Sequence, residues 1–295
     1  MNQMNVWGMT DIGLVRKENQ DAYVTAQHTA SGRTVGVVCD GMGGPAGGRV
    51  ASQIAVSVYL EELEKLLTAD QTPQQLLEAS AQAAALANQA IQAEAERREE
   101  CRNMGTTLVS AISYDGGVVV TNVGDSRAYH ITEDGITRIT KDHSLVESMV
   151  DRGDITAEEA RRHPSRNLIT RALGPDISAD CDGYICPMNA GEYLLLCSDG
   201  LVNTVSDQEM LFEVLHDGDV NECLGHLPGP AAGHRQAPGR AGQCHGRPDA
   251  KTVKGGDTWN TRTRILEKCW TTAMRFWSVS APGAWRLCTR PSATG

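Results

Sequence analysis

Residues 106–131 read TTLVSAISYDGGVVVTNVGDSRAYHI, and this stretch decides the predicted fold class. It contains three runs rich in valine, leucine and isoleucine, at 106–113, 118–123 and 126–131, and such runs are typical of β-strands. The sequence Asp115-Gly116-Gly117 separates the first two runs, and an aspartate followed by glycine favours the tight turn of a β-hairpin. The first two runs are therefore predicted to form an antiparallel β-hairpin.

Two long helical patterns lie side by side in the sequence, at 48–67 and 73–99. In the first, Val50, Ile54 and Val58 recur at helical spacing, which predicts that this face of the helix is buried. Because the strands come in groups and the helices come as a pair, rather than in regular alternation, we expect an α+β domain with antiparallel sheet.

Two helix starts carry recognisable capping patterns. Thr72 precedes Pro73, and proline is favoured at the first position of a helix. Residues 144–162 predict two short helices around a glycine, and Thr156 is expected to cap the second of them together with Glu159.

The composition excludes several classes of protein. The 295-residue chain has a formal charge of −10, which disfavours a nucleic-acid-binding surface. Residues 1–13 lack the basic and apolar parts of a signal peptide, and no apolar run approaches the roughly 18 residues of a membrane span. We therefore expect a cytoplasmic protein that binds neither nucleic acid nor membrane. The nine cysteines show no zinc-site spacing and are expected to be mostly small buried residues.

The charge changes sign along the chain. Residues 1–226 contain sixteen basic and thirty-four acidic side chains, whereas residues 227–295 contain eleven basic and three acidic ones. The second segment also holds four of the five tryptophans and shows no periodicity. Such a break in composition predicts two sequences of different origin.

Three apolar runs end at an aspartate beside a glycine, at Asp40, Asp125 and Asp199. A single pair of this kind is usually a turn. Three of them, each after a strongly apolar strand, predict carboxylates that meet at one edge of a sheet and need a cation between them. Carboxylate oxygens suit Mg²⁺ or Mn²⁺, and Gly41 leaves its backbone carbonyl unshielded for the same ion.

The stretch TDIGLVRKENQDAY at 10–23 adds two candidates for the site. Arg16 offers a planar set of donors that suits a phosphoryl group, although taken alone it reads as an ordinary surface arginine. Asp21 supplies one more carboxylate. Together with the three aspartates at strand ends, these residues predict a centre that handles phosphate through metal ions.

The glycine-rich stretch VVCDGMGGPAGG at 37–48 permits other readings, which the residues disfavour. A P-loop requires a Lys-Ser/Thr ending that this stretch lacks. A dinucleotide-binding turn would place Asp40 against a pyrophosphate, and the strand-helix-strand setting is missing. A cysteine-based phosphatase requires an arginine six residues after its thiol, and no cysteine in residues 1–226 has one; the spacing occurs once, between Cys269 and Arg275 in the segment 227–295.

Seven motifs occur in the order of a known family: TDIG-x-VR-x-x-NQDAY, VVCDGMGG-x-x-GG-x-VAS, MGTTLV, NVGDSRAY, ITKDHSLV, RNLITRALG and LLLCSDGL. Between about residues 9 and 215 the chain resembles the bacterial PPM (type 2C) metal-dependent protein serine/threonine phosphatases. The resemblance implies a sandwich of two antiparallel β-sheets flanked by helix pairs, in four αββα layers. It also implies hydrolysis of phosphoserine and phosphothreonine by a hydroxide held between two Mn²⁺ or Mg²⁺ ions.

The resemblance also implies roles for individual residues. Asp40 would bridge both metal ions, the Gly41 carbonyl and Asp199 would each bind one, and Asp21 would hold metal-bound water. Asp125, with Asp199, would form a third metal site, and Arg16 would hold the phosphate. Residues 144–174 would form a flap beside the site. Met42 stands where some relatives carry a histidine proposed as general acid, so that acid is unassigned.

The family's last metal ligand, an aspartate in an Asp-Asn step that leads into an apolar strand, has no counterpart after residue 215. We expect that residues 227–295 are read in a shifted frame. Codons compatible with residues 241–253, read one base later, permit PDNVTVVLTQRQ and a stop. Codons for residues 258–290, read two bases later, permit a string ending GTGGMAVVYKA, which resembles the start of a serine/threonine kinase.

The predicted organisation is therefore a phosphatase catalytic domain at 1–226, lacking its last strand, and a non-native, disordered tail at 227–295. We expect a monomer that acts on phosphorylated proteins, including a kinase encoded next to it and that kinase's substrates. As written, the chain is expected to bind metal weakly and to be impaired. The alternatives are an inactive phosphatase fold that binds phosphoproteins and a tail that is a basic interaction segment.

Overall fold

The computed structural model describes residues 4–10, 12, 18–28, 30–44, 47–216 and 272–278, and these form two antiparallel sheets with helices on their outer faces. The first sheet has the strand order β1-β11-β10-β7-β8, and the second has the order β2-β3-β5-β6-β9, with the short β4 paired to β3. The predicted α+β class and the two-sheet architecture are confirmed.

The strands of the first sheet are β1 (Met4–Thr10), β7 (Arg127–Thr132), β8 (Gly135–Arg138), β10 (Tyr193–Cys197) and β11 (Thr272–Ser278). Those of the second are β2 (Asp21–His28), β3 (Arg33–Met42), β4 (Gly105–Thr106), β5 (Leu108–Tyr114), β6 (Gly117–Val123) and β9 (Asp182–Pro187). The predicted hairpin joins β5 to β6, where Tyr114 pairs with Gly117 and Gly116 has a φ of 110°.

The helices are α1 (Gly47–Leu66), α2 (Pro73–Arg97), α3 (Leu145–Asp151), α4 (Ala157–Arg162), α5 (Asp199–Val202) and α6 (Asp207–His216). Both predicted caps are present. Thr72 and Gln75 form a capping box at the start of α2, and Thr156 and Glu159 form one at the start of α4. No helix in the described part of the chain is long and apolar enough to cross a membrane.

The order of the layers follows from the alternation of side chains along the strands. In β3, Val37 packs with α1 and α2, whereas Val38 packs between the two sheets. In β10, Leu194 lies between the sheets, and Leu195 packs with α5 and α6. The layers are therefore α1 and α2, the second sheet, the first sheet, then α5 and α6.

The predicted helix at 48–67 is confirmed as α1. The side chains of Val50, Ile54 and Val58 pack against the core and are partly buried. Ala51, Ala55, Tyr59 and Leu63 are fully buried and form the centre of the contact.

One segment of the predicted tail is ordered into the domain. Strand β11 pairs with β1 on one side and with β10 on the other, so seven residues of the tail fill the middle of the first sheet. An unfilled gap there would leave the hydrogen-bonding groups of both neighbours unpaired. The expectation that the whole tail lacks structure is therefore too broad for 272–278. The remainder, 217–271 and 279–295, lies outside the described residues, and the shifted frame stays a prediction.

Candidate metal centre

Four aspartates lie where strands from both sheets end at one rim of the sandwich. Asp21 is the first residue of β2 and lies opposite Asp40 of β3 in the antiparallel register. Asp199 begins α5 directly after β10, and Asp125 lies in the turn between β6 and β7. Each strand or turn thus delivers one carboxylate to the rim.

The carboxyl group of Asp40 lies within electrostatic reach of the other three. Burial raises the pKa of Asp40 well above its usual value, and the negative charges of Asp21, Asp199 and Asp125 raise it further. The Asp199 side chain is also close enough to accept a hydrogen bond from the protonated Asp40 carboxyl. Like charges destabilise each other most when they are removed from water, so a positive charge bound among these carboxylates would stabilise the cluster.

A hard divalent cation fits this donor set, which consists of oxygen atoms. Asp199 Oδ2 accepts a hydrogen bond from Asn203 Nδ2 at 3.1 Å, while Asp199 Oδ1 is buried and accepts none. Among the residues that the structure describes, no three histidine, cysteine or carboxylate side chains already surround one point as a closed cage. A bound ion would therefore take part of its coordination from backbone carbonyls and water.

Two threonines that sequence reasoning missed hold the backbone of Asp40. The Asp40 N–H donates to Thr107 Oγ1, and the Asp40 carbonyl accepts from the Thr107 N–H and from Thr106 Oγ1, all at 2.9 Å. Thr107 Oγ1 also lies 2.7 Å from Ser126 Oγ, next to Asp125. The MGTTLV motif thus connects two of the acidic positions.

A buried serine orients Asp21. Ser198 Oγ donates to Asp21 Oδ2 at 2.9 Å, and Ser198 is fully buried directly before Asp199. The Asp21 N–H donates to Asn19 Oδ1 at 3.0 Å. Ser198 therefore links the carboxylate of one sheet to the strand end of the other. The only signal for it in the sequence is its place inside the LLLCSDGL motif.

The glycine-rich loop packs backbone against backbone. A Cβ atom on Gly41 would lie 2.0 Å from the Gly48 carbonyl oxygen, so Gly41 is required for the close approach of β3 and α1. Gly43 and Gly44 have φ values of 108° and 93°, which disfavour other residues. Gln20 Nε2 donates to the Gly44 carbonyl at 2.8 Å. Close packing of β3 against α1 therefore requires glycine at position 41, in addition to the predicted need for an unshielded carbonyl.

Asp125 lies in an environment of mixed charge. Burial raises the pKa of Asp125 to about 7, the charges of Asp199 and Asp142 raise it as well, and Arg127 acts in the opposite direction. The Arg127 guanidinium is itself engaged by Asp142, with Nε–Oδ1 at 2.9 Å and Nη2–Oδ2 at 2.6 Å. The positive charge nearest to Asp125 is therefore already largely neutralised.

A cavity of about 400 Å³ opens beside Asp125 and Asp199. The segment between β8 and β9 lines this cavity with residues of α3 and α4, including Arg161 of α4. Arg166, which follows α4, lines it as well. The predicted flap at 144–174 thus lies next to the acidic rim. Arg16, the predicted phosphate-binding residue, lies outside the described residues, and its role stays a prediction.

Comparisons with known proteins agree with this geometry. The family model described as "Protein phosphatase 2C" matches residues 15–218. The serine/threonine phosphatase stp of Listeria innocua is 38% identical over 204 residues, which are 68% of this chain and 79% of that protein. The crystal structure of the Mycobacterium tuberculosis serine/threonine phosphatase PstP/Ppp has a TM-score of 0.71 and 29% identity, covering 94% of this chain and 99% of that one.

A further crystal structure contains metal ions. It is the catalytic domain of the serine threonine protein phosphatase PstP in complex with 2 manganese ions, with a TM-score of 0.68, 27% identity and coverage of 94% of this chain and 99% of that chain. The two-sheet fold is therefore shared with bacterial serine/threonine phosphatases, one of which was solved with manganese ions.

The chain belongs to the protein phosphatase 2C family. This confirms the predicted family and the predicted enzyme class, a protein-serine/threonine phosphatase. Phosphatases of this family use Mn²⁺ or Mg²⁺.

Strand β11 bears on the prediction that the family's last metal ligand has no counterpart in this chain. It begins at the rim, because Ala273 lies opposite Cys197 at the end of β10, two residues before Asp199. In the sequence, Lys268, Cys269, Trp270 and Thr271 precede the strand, and none of them carries a carboxylate. The four residues directly before β11 therefore carry no carboxylate, Glu267 is the nearest acidic residue before the strand, and the absence of the last ligand stays a prediction.

Proposed function

We propose that the chain hydrolyses phosphoserine and phosphothreonine monoesters in proteins, using Mn²⁺ or Mg²⁺ held at the acidic rim. The observation that carries this proposal is the environment of Asp40. Its carboxyl group is buried beside those of Asp21, Asp125 and Asp199, which come from both sheets, and burial, followed by the repulsion from these neighbours, raises its pKa. A cluster of this kind is suited to binding divalent cations and costs stability without them.

Individual residues have distinct roles in the proposal. Asp40, the Gly41 carbonyl and Asp199 would hold the divalent ions, and Asp21 would hold water bound to them. Asp125, with Asp199, would hold a third ion. When bound, the cations lower the pKa of a water molecule so that its oxygen can attack phosphorus in line with the leaving group.

The chain's own contacts keep these groups in place during the reaction. Thr106 and Thr107 fix the backbone of Asp40, and Ser198 fixes the Asp21 carboxylate. Arg16 is proposed to orient the phosphoryl oxygens with its planar donors. The new bond joins the water oxygen to phosphorus, the bond from phosphorus to the serine or threonine oxygen breaks, and that oxygen then takes up a proton. Met42 cannot supply this proton, because a thioether carries none.

Hydrolysis of p-nitrophenyl phosphate by the full chain, measured against Mn²⁺ concentration, tests the proposal. Asp40→Asn should abolish the Mn²⁺-dependent rate. Asp115→Asn, in the exposed turn of the β5–β6 hairpin, is the matched control and should leave the rate unchanged. A rate that does not depend on Mn²⁺ or on Asp40 would contradict the proposed mechanism.

A second candidate is a phosphatase fold that binds phosphoproteins without hydrolysing them. Two observations favour it for the chain as written: the described residues contain no closed cage of three metal-binding side chains, and none of the four residues directly before β11 is acidic. Phosphopeptide binding without hydrolysis would support this candidate. Hydrolysis that appears only after the shifted frame is repaired would instead support an impaired enzyme.

We further propose that residues 227–295 are a shifted reading of the gene and that the unshifted domain ends in the strand VTVVLT after an Asp-Asn step. The chain as written would then bind metal weakly, because one ligand is lost. Resequencing the source DNA tests this directly. A single unbroken frame through the codon of Leu227 in clean reads would show that the tail is native.

The kinase-like string that a shifted frame permits at residues 258–290 supports a protein partner encoded next to the phosphatase. We propose that the phosphatase opposes a serine/threonine kinase encoded directly downstream and that both act on shared phosphoproteins in the cytoplasm. We propose a monomeric enzyme, which sedimentation analysis can test. Release of phosphate from the autophosphorylated kinase by the repaired chain would support the partnership, and a kinase that stays phosphorylated would count against it.

A further inference from the structure

A buried histidine that the proposed reaction does not use lies beside the Asp125 turn. His143 is only 7% exposed and makes two contacts with Gly124. Its backbone N–H donates to the Gly124 carbonyl at 2.9 Å, and its Nδ1 accepts a hydrogen bond from the Gly124 N–H at 3.1 Å. Both polar groups of the Gly124 backbone are thus held by one residue.

Gly124 controls the path of the chain into Asp125. Its φ of 105° lies in the region that favours glycine, and a Cβ atom there would lie 2.6 Å from Thr107 Cγ2. Because Asp125 follows directly, a rotation of the Gly124 peptide would move the Asp125 carboxylate away from the rim. The hydrogen bond to His143 Nδ1 opposes this rotation.

The other ring nitrogen of His143 faces the base of the flap. His143 Nε2 lies 3.1 Å from Asp182 Oδ2, and Arg171 Nη1 donates to Asp182 Oδ1 at 2.9 Å. Since Nδ1 accepts from Gly124, the proton of the neutral ring is on Nε2 and is donated to Asp182. With Nε2 protonated, Arg171 Nη1 at 3.3 Å makes no hydrogen bond to it, and both groups lie against the Asp182 carboxylate.

Both ends of the flap meet at His143. The chain leaves His143 directly into Ser144, which pairs with Ile169 in an isolated bridge. On the return, the Thr170 N–H donates to the His143 carbonyl at 2.7 Å. Backbone and side chain of one residue therefore connect the base of the flap to the turn that carries Asp125.

We propose that His143 is a positioning residue whose Nδ1 holds the Gly124 peptide, and with it the Asp125 carboxylate, in place for a divalent cation, while the contact of Nε2 with Asp182 orients the ring. The inference rests on the proposed function, because Asp125 acquires a ligand role only there. His143 itself touches neither substrate nor metal in this account. Groups that orient a metal ligand from behind commonly change metal affinity about tenfold when they are lost.

Two substitutions separate the contact of His143 Nδ1 with Gly124 from the contact of Nε2 with Asp182. In His143→Asn, the amide oxygen can occupy the place of Nδ1 and accept from Gly124, while the contact with Asp182 is lost. In His143→Gln, the amide nitrogen can occupy the place of Nε2 and donate to Asp182, while the acceptor for Gly124 is lost. A purely structural role for a buried histidine predicts no such difference between the two variants.

The test is a Mn²⁺ titration of the full chain, followed by the electron paramagnetic resonance signal of free Mn²⁺. His143→Gln should weaken the weakest bound site about tenfold, and His143→Asn should leave it unchanged. If the two variants bind Mn²⁺ with equal affinity, the proposed role of His143 is wrong, and the proposed function is unaffected. Absence of Mn²⁺ binding by the unsubstituted chain would instead contradict the proposed function.

A second measurement avoids the case in which a variant fails to fold. Long-range ¹H–¹⁵N spectra of the unsubstituted chain report which ring nitrogen carries the proton. The proposal requires an unprotonated Nδ1 and a protonated Nε2. A proton on Nδ1 would exclude the hydrogen bond from Gly124 and would overturn the proposal whatever the variants do.

Discussion

Asp21 and Asp40 lie directly opposite each other in the antiparallel register of β2 and β3. Like charges at facing positions destabilise a sheet, and here burial adds to the cost. Their neighbours hold them in place, since Ser198 donates to Asp21 and Thr107 accepts from the Asp40 backbone. A pair that is unfavourable for folding but firmly oriented is best explained by an ion that binds between them.

Asp40→Asn should therefore stabilise the metal-free chain while it removes the response to metal. Replacing a buried carboxylate that repels its neighbours should raise the free energy of unfolding by about 1–3 kcal/mol. Urea denaturation with and without Mn²⁺ measures both effects, and Asp115→Asn should match the unsubstituted chain in each. If Asp40→Asn is stabilised by Mn²⁺ as strongly as the unsubstituted chain, Asp40 is not a ligand.

The stability of the metal-free chain should fall as pH rises from about 4 to about 7. The pKa of Asp125 is raised from 3.8 to about 7 by burial and by its acidic neighbours. In this range the folded state holds a proton that the unfolded state has released, so raising the pH favours unfolding. The loss from this group should be roughly 2–4 kcal/mol, and stability should level off above pH 7.

Urea denaturation in the presence of a chelator, repeated across this pH range, measures the effect. Asp125→Asn should flatten the dependence, because amides do not titrate. Asp40 has a raised pKa as well, so part of the slope should remain in that variant. A stability that rises between pH 4 and 7 would contradict the assignment of both groups.

Arg33 should stabilise the fold at the end of β3 remote from the rim. It is 3% exposed and donates to the carbonyls of Thr68 and Ser113 at 3.0 Å, and to those of Ala69 and Gln71 at 3.0 and 3.1 Å. Arg33→Lys should lower the free energy of unfolding by about 2–3 kcal/mol, since an ammonium group cannot reproduce the planar fork.

The affinity for Mn²⁺ should not change in Arg33→Lys, because β3 separates Arg33 from Asp40 by seven positions. Arg49→Lys is the matched control, since the Arg49 side chain is 51% exposed and pairs only loosely with Glu18 at 3.4 Å. A parallel loss of metal affinity in Arg33→Lys would show that the two ends of the strand are coupled.

Thr271→Asp should increase the affinity of the written chain for Mn²⁺. The substitution places a carboxylate directly before β11, which begins at the rim beside the end of β10. Calorimetric titration should show an affinity that is higher by about tenfold, and Thr271→Asn should show no gain. An aspartate without effect would mean that β11 does not deliver this position to the site.

The sequence predicted those features whose signals are local. The β5–β6 hairpin follows from Asp115 and Gly116, and the start of α4 follows from Thr156 and Glu159, whose side chains contact the nearby backbone. Asp40, Asp125 and Asp199 were recognisable because each follows an apolar run, and Asp21 because it lies in the stretch 10–23 together with Arg16. The layer order then follows from alternation along strands such as β3.

Features that depend on close packing or on distant partners were not predicted. Ser198 lies 177 positions from Asp21, and the contact of His143 with Gly124 spans 19 positions, so neither leaves a local pattern. The inner face of α1 is set by how closely Ala51 and Ala55 let the helix approach its neighbours. Strand β11 has no apolar periodicity that would have marked it, and it forms because two strand edges need a partner.

Anomalous diffraction from crystals grown with Mn²⁺ tests the central claim most directly. The account predicts Mn²⁺ peaks at coordination distance from the Asp40 carboxylate, about 2.2 Å, with Asp199 and the Gly41 carbonyl completing the ligands nearest to them. A crystal saturated with Mn²⁺ that shows no peak among Asp21, Asp40 and Asp199 would contradict the claim that these carboxylates form a metal centre.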